Sequence, residues 1–232
     1  MTIEAASQLF RQGQFPAAKK TLQRLLRKGQ SVPAALRLLG YIEGQLQNFP
    51  GTIDYLSQSL RYEPSSVESW YYLGLAHQKL AQHGAAVDAY LRALKLAPDL
   101  FEATHDLGLS LFALGRNAEA AAQFERAAGL NPASFEAHLN LGAALGKLRR
   151  YEDEIASYDK ALAIDAGNRT LLQNYGAVLC QTGRFEVAVA HYEAVRQRHP
   201  DFDFARGGLL FAKAIAGDWD DFDRQVQELH AA

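Results

Sequence analysis

The chain has 232 residues, 48 % of them apolar, and its 24 Lys+Arg against 26 Asp+Glu give a formal net charge of −2. That balance excludes bulk attraction to nucleic acid, and no run pairs basic residues with the aromatics on which single-stranded bases stack. No segment approaches the roughly 18 apolar residues of a membrane span, so no membrane insertion is expected, and the lone Cys180 excludes an internal disulfide.

Ala and Leu dominate, prolines are few and regularly placed, and β-branched runs are scarce, which together predict an all-α chain. The opening MTIEAASQLFRQ lacks the apolar core of a secretory signal, so the sequence as given reads as cytoplasmic. Charge is uneven along the chain. Residues 1–32 carry Arg11, Lys19, Lys20, Arg24, Arg27 and Lys28 against Glu4 alone, whereas residues 201–232 are mainly acidic, with Asp201, Asp203, Asp218, Asp220, Asp221, Asp223 and Glu228. Solvated end helices account for this, and a homo-oligomer joined head to tail through the terminal units is the sharper alternative.

In chain order, Gly13, Phe15, Ala18 and Leu22 mark a partial unit over 1–32, a cap whose Lys/Arg-rich outer side is expected in water. Residues 33–66 keep Leu39, Gly40 and Pro64, with Asn48 ahead of a helix over about Phe49–Tyr62. Residues 67–100 place Trp70 at position 4 of the unit, Leu73 at 7, Gly74 at 8, Ala86 at 20, Tyr90 at 24, Ala93 at 27 and Pro98 at 32. In 101–134, Leu107, Gly108, Ala120, Phe124, Ala127 and Pro132 occupy the matching places.

Residues 135–168 retain Leu141, Gly142, Tyr158 and Ala161 but break two rules. Ala166-Gly167 replaces the proline stop, so Gly167 is expected to end the helix in the left-handed conformation. Glu154 takes position 20, normally Ala, where the two helices of a unit approach most closely. A lone buried carboxylate is costly, so Glu154 is expected to turn toward solvent or toward Lys147 or Arg149. Residues 169–202 bring Gly176, Ala188, Tyr192 and Pro200. Residues 203–232 form a degenerate capping unit with Gly217 and Trp219 at positions 15 and 17, and Asp218 is expected to cap a closing helix with Trp219, Phe222, Val226 and Leu229 on one face.

This spacing resembles the tetratricopeptide repeat (TPR), whose signature runs over about 34 residues. The resemblance implies a right-handed solenoid of antiparallel helix pairs, about six to seven repeats. Small residues at 8, 20 and 27 let helix axes approach, large ones at 7 and 24 fill the space between, and proline at 32 turns the chain. There are no insertions to carry catalytic loops.

The search for chemistry returns little. Gly142–Lys147 is one residue short of a phosphate loop and lies in a predicted helix. The histidines share no face at metal-ligand spacing, and Asn168-Arg169-Thr170 reads as a chance sequon. No Ser/His/Asp or Cys/His arrangement can be argued, so the chain is read as non-enzymatic, with no cofactor and no metal.

Repeats of this family bind through the groove lined by positions 2, 5, 6 and 9 of each first helix. Carried onto this sequence, the groove residues are Glu68, Tyr71, Tyr72, Glu102, His105, Asp106, Glu136, Asn140, Gln173 and Asn174. Acidic and hydrogen-bonding in its middle, such a lining suits an extended peptide with Ser/Thr or basic residues. Family members that hold a C-terminal carboxylate use Lys and Arg at these positions, and this groove offers only Arg37. Asn140 and Asn174, at position 6 of consecutive repeats, also resemble the asparagine ladder in the repeat arm of O-linked N-acetylglucosamine transferases, and Asp218, Trp219 and Phe222 resemble the segment joining that arm to a catalytic domain in bacterial relatives. The chain is then a substrate-recognition arm, and the alternative is a free-standing bacterial adaptor for assembly of a multiprotein complex.

Overall fold

The computed structural model describes residues 2–219, in which thirteen α-helices are present and no strand. In chain order these are α1 (Ile3–Arg11), α2 (Phe15–Arg27), α3 (Val32–Gln45), α4 (Phe49–Tyr62), α5 (Val67–Lys79), α6 (His83–Leu96), α7 (Phe101–Ala113), α8 (Asn117–Leu130), α9 (Phe135–Lys147), α10 (Tyr151–Ile164), α11 (Arg169–Gln181), α12 (Phe185–Arg198) and α13 (Asp203–Ala216). Every second helix from α2 to α12 begins 34 residues after the last, and from α5 onward so does every first helix. The helices fall into two compact units, residues 1–130 with α1 to α8 and residues 131–232 with α9 to α13. In the first, the first helices α1, α3, α5 and α7 touch in succession, as α9, α11 and α13 do in the second.

The turn inside each helix pair is the same in every repeat. Position 15 adopts a left-handed backbone at Gly13 (φ 72°), Gln47 (59°), Ala81 (56°), Gly115 (73°), Arg149 (58°), Gly183 (74°) and Gly217 (77°). The next residue donates back to the carbonyl five positions earlier, as from Gln82 to His77 (2.9 Å) and from Arg150 to Leu145 (3.0 Å), closing the helix end. Three first helices, α5, α9 and α11, open on Ser or Asn caps: Ser66 accepts from the Ser69 amide (3.3 Å), Ser134 from Ala137 (3.2 Å) and Asn168 from Leu171 (3.1 Å). The sequon asparagine is thus engaged as a helix cap.

Between the two helices of a repeat, position 24 lies flat on the position-8 glycine. A Cβ on Gly74 would stand 2.6 Å from the Tyr90 ring, and one on Gly108 the same distance from Phe124. Tyr90 and Phe124 are at most 1 % exposed, as is Tyr158 on Gly142. Each such ring contributes about 2–3 kcal/mol of burial, which only a bare backbone opposite allows.

Two expectations need correcting here. Gly167 does not end α10, because its φ is not positive; Asp165 leaves the helix at φ −139° and its carboxylate accepts from the Gly167 amide at 2.8 Å. Nor is the basic side of α2 wholly in water, since Lys19 reaches across to the buried Glu43 of α3 at 2.5 Å. The expected closing helix, with Phe222, Val226 and Leu229, lies outside the described residues.

Candidate functional site

In the first unit, position 2 of α5 and α7 presents Glu68 and Glu102 as exposed carboxylates, and Tyr72 at position 6 is 39 % exposed. Tyr71, His105 and Asp106 are half-buried and engaged with one another. The Tyr71 hydroxyl donates to Asp106 Oδ2 at 3.1 Å, and His105 Nδ1 stands 3.6 Å from Asp106 Oδ1. Burial, with the Asp106 carboxylate beside it, pushes the Tyr71 hydroxyl well above its ordinary pKa. These three side chains tie α5 to α7. On this unit, then, Glu68, Tyr72 and Glu102 are the expected groove residues that stand open to solvent.

A cavity of about 370 Å³ opens beside them, between α3 and α5. Phe10, Tyr41, Phe49, Tyr72 and Leu75 give it apolar walls, and Glu68 puts one carboxylate on its lining. The Tyr41 and Tyr72 rings stand 4.9 Å apart between centroids, and Tyr71 continues the cluster 5.4 Å from Tyr72. The cavity exists because α3 carries glycine at position 12 as well as position 8: a Cβ on Gly44 would meet only Thr52 Oγ1, at 3.4 Å.

In the second unit, Glu136 and Gln173 are exposed and Asn140 and Asn174 are half-buried. Asn174 joins a cavity of about 300 Å³ between α9 and α11, together with Gly146, Lys147, Gln181 and two residues of α10, Glu154 and Tyr158. Here the structure overturns the expectation for Glu154. Its side chain turns inward to 8 % exposure and forms no ion pair with Lys147 or Arg149, and a Cβ on Gly146 would lie 2.7 Å from both of its carboxylate oxygens. The physical reason is an exchange of volume between positions 12 and 20. Where position 12 is Gln78, Phe112 or Cys180, position 20 is Ala86, Ala120 or Ala188; where position 12 is Gly44 or Gly146, position 20 is Thr52 or Glu154. Burial holds the Glu154 carboxyl above its usual range, with the Tyr158 hydroxyl in hydrogen-bonding reach offsetting part of that shift.

The sequence reading missed both cavities and the inward Glu154. Each is signalled by a second glycine four residues after the position-8 glycine, at Gly44 and Gly146. Among the described residues no group of three or more His, Cys, Asp or Glu side chains could hold a metal ion, and no helix is long and apolar enough to cross a membrane.

A family model described as Tetratricopeptide repeat matches residues 3–54 and 105–169, and a second of the same description matches 67–100. Among solved structures, the chain is similar to the C-terminal part of a TPR repeat-containing protein from Cytophaga hutchinsonii (15 % identity, 99 % of this chain and 95 % of that one, TM-score 0.82). It is also similar to MamA (21 %, 73 % and 92 %, TM-score 0.70), and to YrrB, described as a TPR protein with an unusual peptide-binding site (16 %, 75 % and 90 %, TM-score 0.67). At these identities the likeness is one of fold. No curated protein matches the chain significantly.

Proposed function

The chain belongs to the tetratricopeptide repeat family, and from that premise we propose that it is a protein-interaction scaffold that holds an extended polypeptide against its first helices. The observation that carries this reading is the aromatic cavity between α3 and α5, open to solvent and lined by Phe10, Tyr41, Phe49, Tyr72 and Leu75 with Glu68 among them. Apolar walls with a few placed polar groups are what a side-chain anchor site requires. Within the first unit, Glu102 adds a polar contact for a bound backbone, and the second unit carries its own set in Glu136, Gln173 and Asn174. YrrB, similar in fold, supports the reading through its described peptide-binding site. A peptide-array screen tests it: the same hits must weaken with Tyr72→Ala, and hits indifferent to Tyr72→Ala, Asn140→Ala and Asn174→Ala end the proposal.

A second reading is favoured by one observation at the end of the second unit. Among the described residues Phe211 and Ile215 are each 54 % exposed and Trp219 61 %, an exposed apolar row. We propose that this row is covered by further protein, either the catalytic domain of a glycosyltransferase for which these repeats serve as substrate arm or a second copy of the chain. Sizing of the chain separates the two. A dimer lost with Phe211→Ser and Trp219→Ser identifies the copy, and a monomer whose reading frame continues into a glycosyltransferase identifies the arm. A monomer with neither supports the free-standing adaptor.

A further inference from the structure

Glu154 is more than nine-tenths buried yet forms part of the lining of the cavity between α9 and α11. Among the described residues no lysine, arginine or histidine nitrogen is placed within the 4.0 Å of an ion pair with it. The other deeply buried glutamate among the described residues is treated differently. Glu43, 2 % exposed, receives Lys19 Nζ at 2.5 Å and Asn48 Nδ2 at 2.7 Å. A buried carboxylate is ordinarily paired, and one without a cation is costly in its charged form, so a cation brought from outside would stabilise it.

The groups around Glu154 show which partner fits. Asn174 and Tyr158 line the same cavity as Glu154, and the Tyr158 hydroxyl lies within reach of the Glu154 carboxylate. Gln181 Nε2 donates to the Tyr151 hydroxyl at 2.7 Å. The Gln181 amide thus uses an N–H on the protein, and both amides bring carbonyl oxygens able to accept, beside a carboxylate that still has lone pairs to fill. A site rich in acceptors calls for a guest that only donates. Gly146 supplies the room for the carboxylate itself, since a Cβ there would lie 2.7 Å from both of its oxygens, and the guest's space is the cavity that Glu154 lines with Asn174 and Gln181.

We propose that this cavity is a cation-recognition pocket, in which Glu154, Asn174 and Gln181 accept from the guanidinium or ammonium group of a basic side chain on a bound polypeptide. The guanidinium, planar and with five N–H donors, matches three separate acceptors better than a point-like ammonium does. Lys147, exposed at the rim, opposes the guest's charge and so weakens the site. The pocket deepens the scaffold reading and rests on it for the source of the side chain. Its preference for charge does not depend on that source.

The test uses the full chain and two probes, N-acetyl-arginine N-methylamide and its neutral isostere, the citrulline amide, followed by the backbone amide resonance of Gly146. The arginine probe shifts that resonance saturably and the citrulline probe binds at least about tenfold more weakly. Glu154→Gln, which keeps the Tyr158 contact and folds with no loss of melting temperature, brings the two probes to equal affinity, and Lys147→Ala strengthens the arginine probe. Equal binding of both probes to the unaltered protein, or an arginine affinity unchanged in Glu154→Gln, overturns the pocket. Peptide hits that depend on Tyr72 but carry no cation leave the scaffold standing and remove this pocket from it. An arginine-selective pocket without peptide hits does the reverse.

Discussion

The imidazole of His138 is bonded to the carbonyl oxygen of Pro132, six residues back, with Nε2 3.0 Å from it. The same reach recurs from position 4 in Trp70 Nε1 to Pro64 (2.8 Å) and Arg206 Nη2 to Pro200 (2.9 Å). After Pro98, position 4 is Thr104, whose hydroxyl turns to Leu100 (2.9 Å), and Arg126 of α8 serves the proline carbonyl at 2.6 Å. The tryptophan of the repeat signature is therefore both a filler and a donor that fastens the turn between repeats. Trp70→Phe keeps most of the packing and removes the N–H, and is expected to lower stability by about 1 kcal/mol in denaturant unfolding. An unchanged midpoint and slope would show that water replaces the bond at no cost.

The left-handed position 15 makes a prediction of opposite sign at two sites. Ala81 holds φ 56° with a side chain that this conformation disfavours, while Gly115 holds φ 73° without one and has open space around it. Ala81→Gly is expected to raise stability by about 1 kcal/mol and Gly115→Ala to lower it by a similar amount. The comparison is made by chemical denaturation of the two variants beside the parent.

The two buried glutamates also answer the same substitution in opposite directions. Glu43→Gln breaks the contact with Lys19 and is expected to cost about 1–3 kcal/mol, because a charge-assisted bond is lost inside the protein. Glu154→Gln removes a carboxylate with no cation beside it and is expected to raise the melting temperature at pH 7. The sign with pH follows from the raised pKa of Glu154. Between the ordinary value of 4.5 and the higher folded value, the native state holds a proton that the unfolded chain has given up, so stability falls as pH rises through that interval. The advantage of Glu154→Gln is then largest at neutral pH and shrinks toward pH 4.5. A gain that stays constant across this range contradicts the assignment.

His191 behaves in the reverse sense. Burial holds its imidazole below the ordinary 6.5, against the opposing effect of the bond from Nε2 to the Leu172 carbonyl at 2.8 Å. As pH falls through 6.5 the unfolded chain takes up a proton that the folded one refuses, so stability declines between that value and the lower folded one. His191→Gln is expected to flatten this acid limb of the melting-temperature profile.

Much of this protein was written along the chain. The stride of 34, the start of α4 at Phe49 and the pairing of glycine at 8 with a large residue at 24 follow from local volume and backbone preference, which repeat with the sequence. The family's groove positions, carried onto the sequence, marked Glu68, Tyr72 and Glu102, which the structure leaves exposed.

What tertiary structure decided was the fate of side chains whose partners come from another helix. Glu154 turns inward because α9 offers it the vacancy at Gly146, Lys19 is drawn in by Glu43, and Tyr71, His105 and Asp106 bind one another across α5 and α7. Spacing fixes which face a residue occupies, whereas its direction on that face depends on the space and charge that a neighbouring helix presents, and those exist only once the helices have packed.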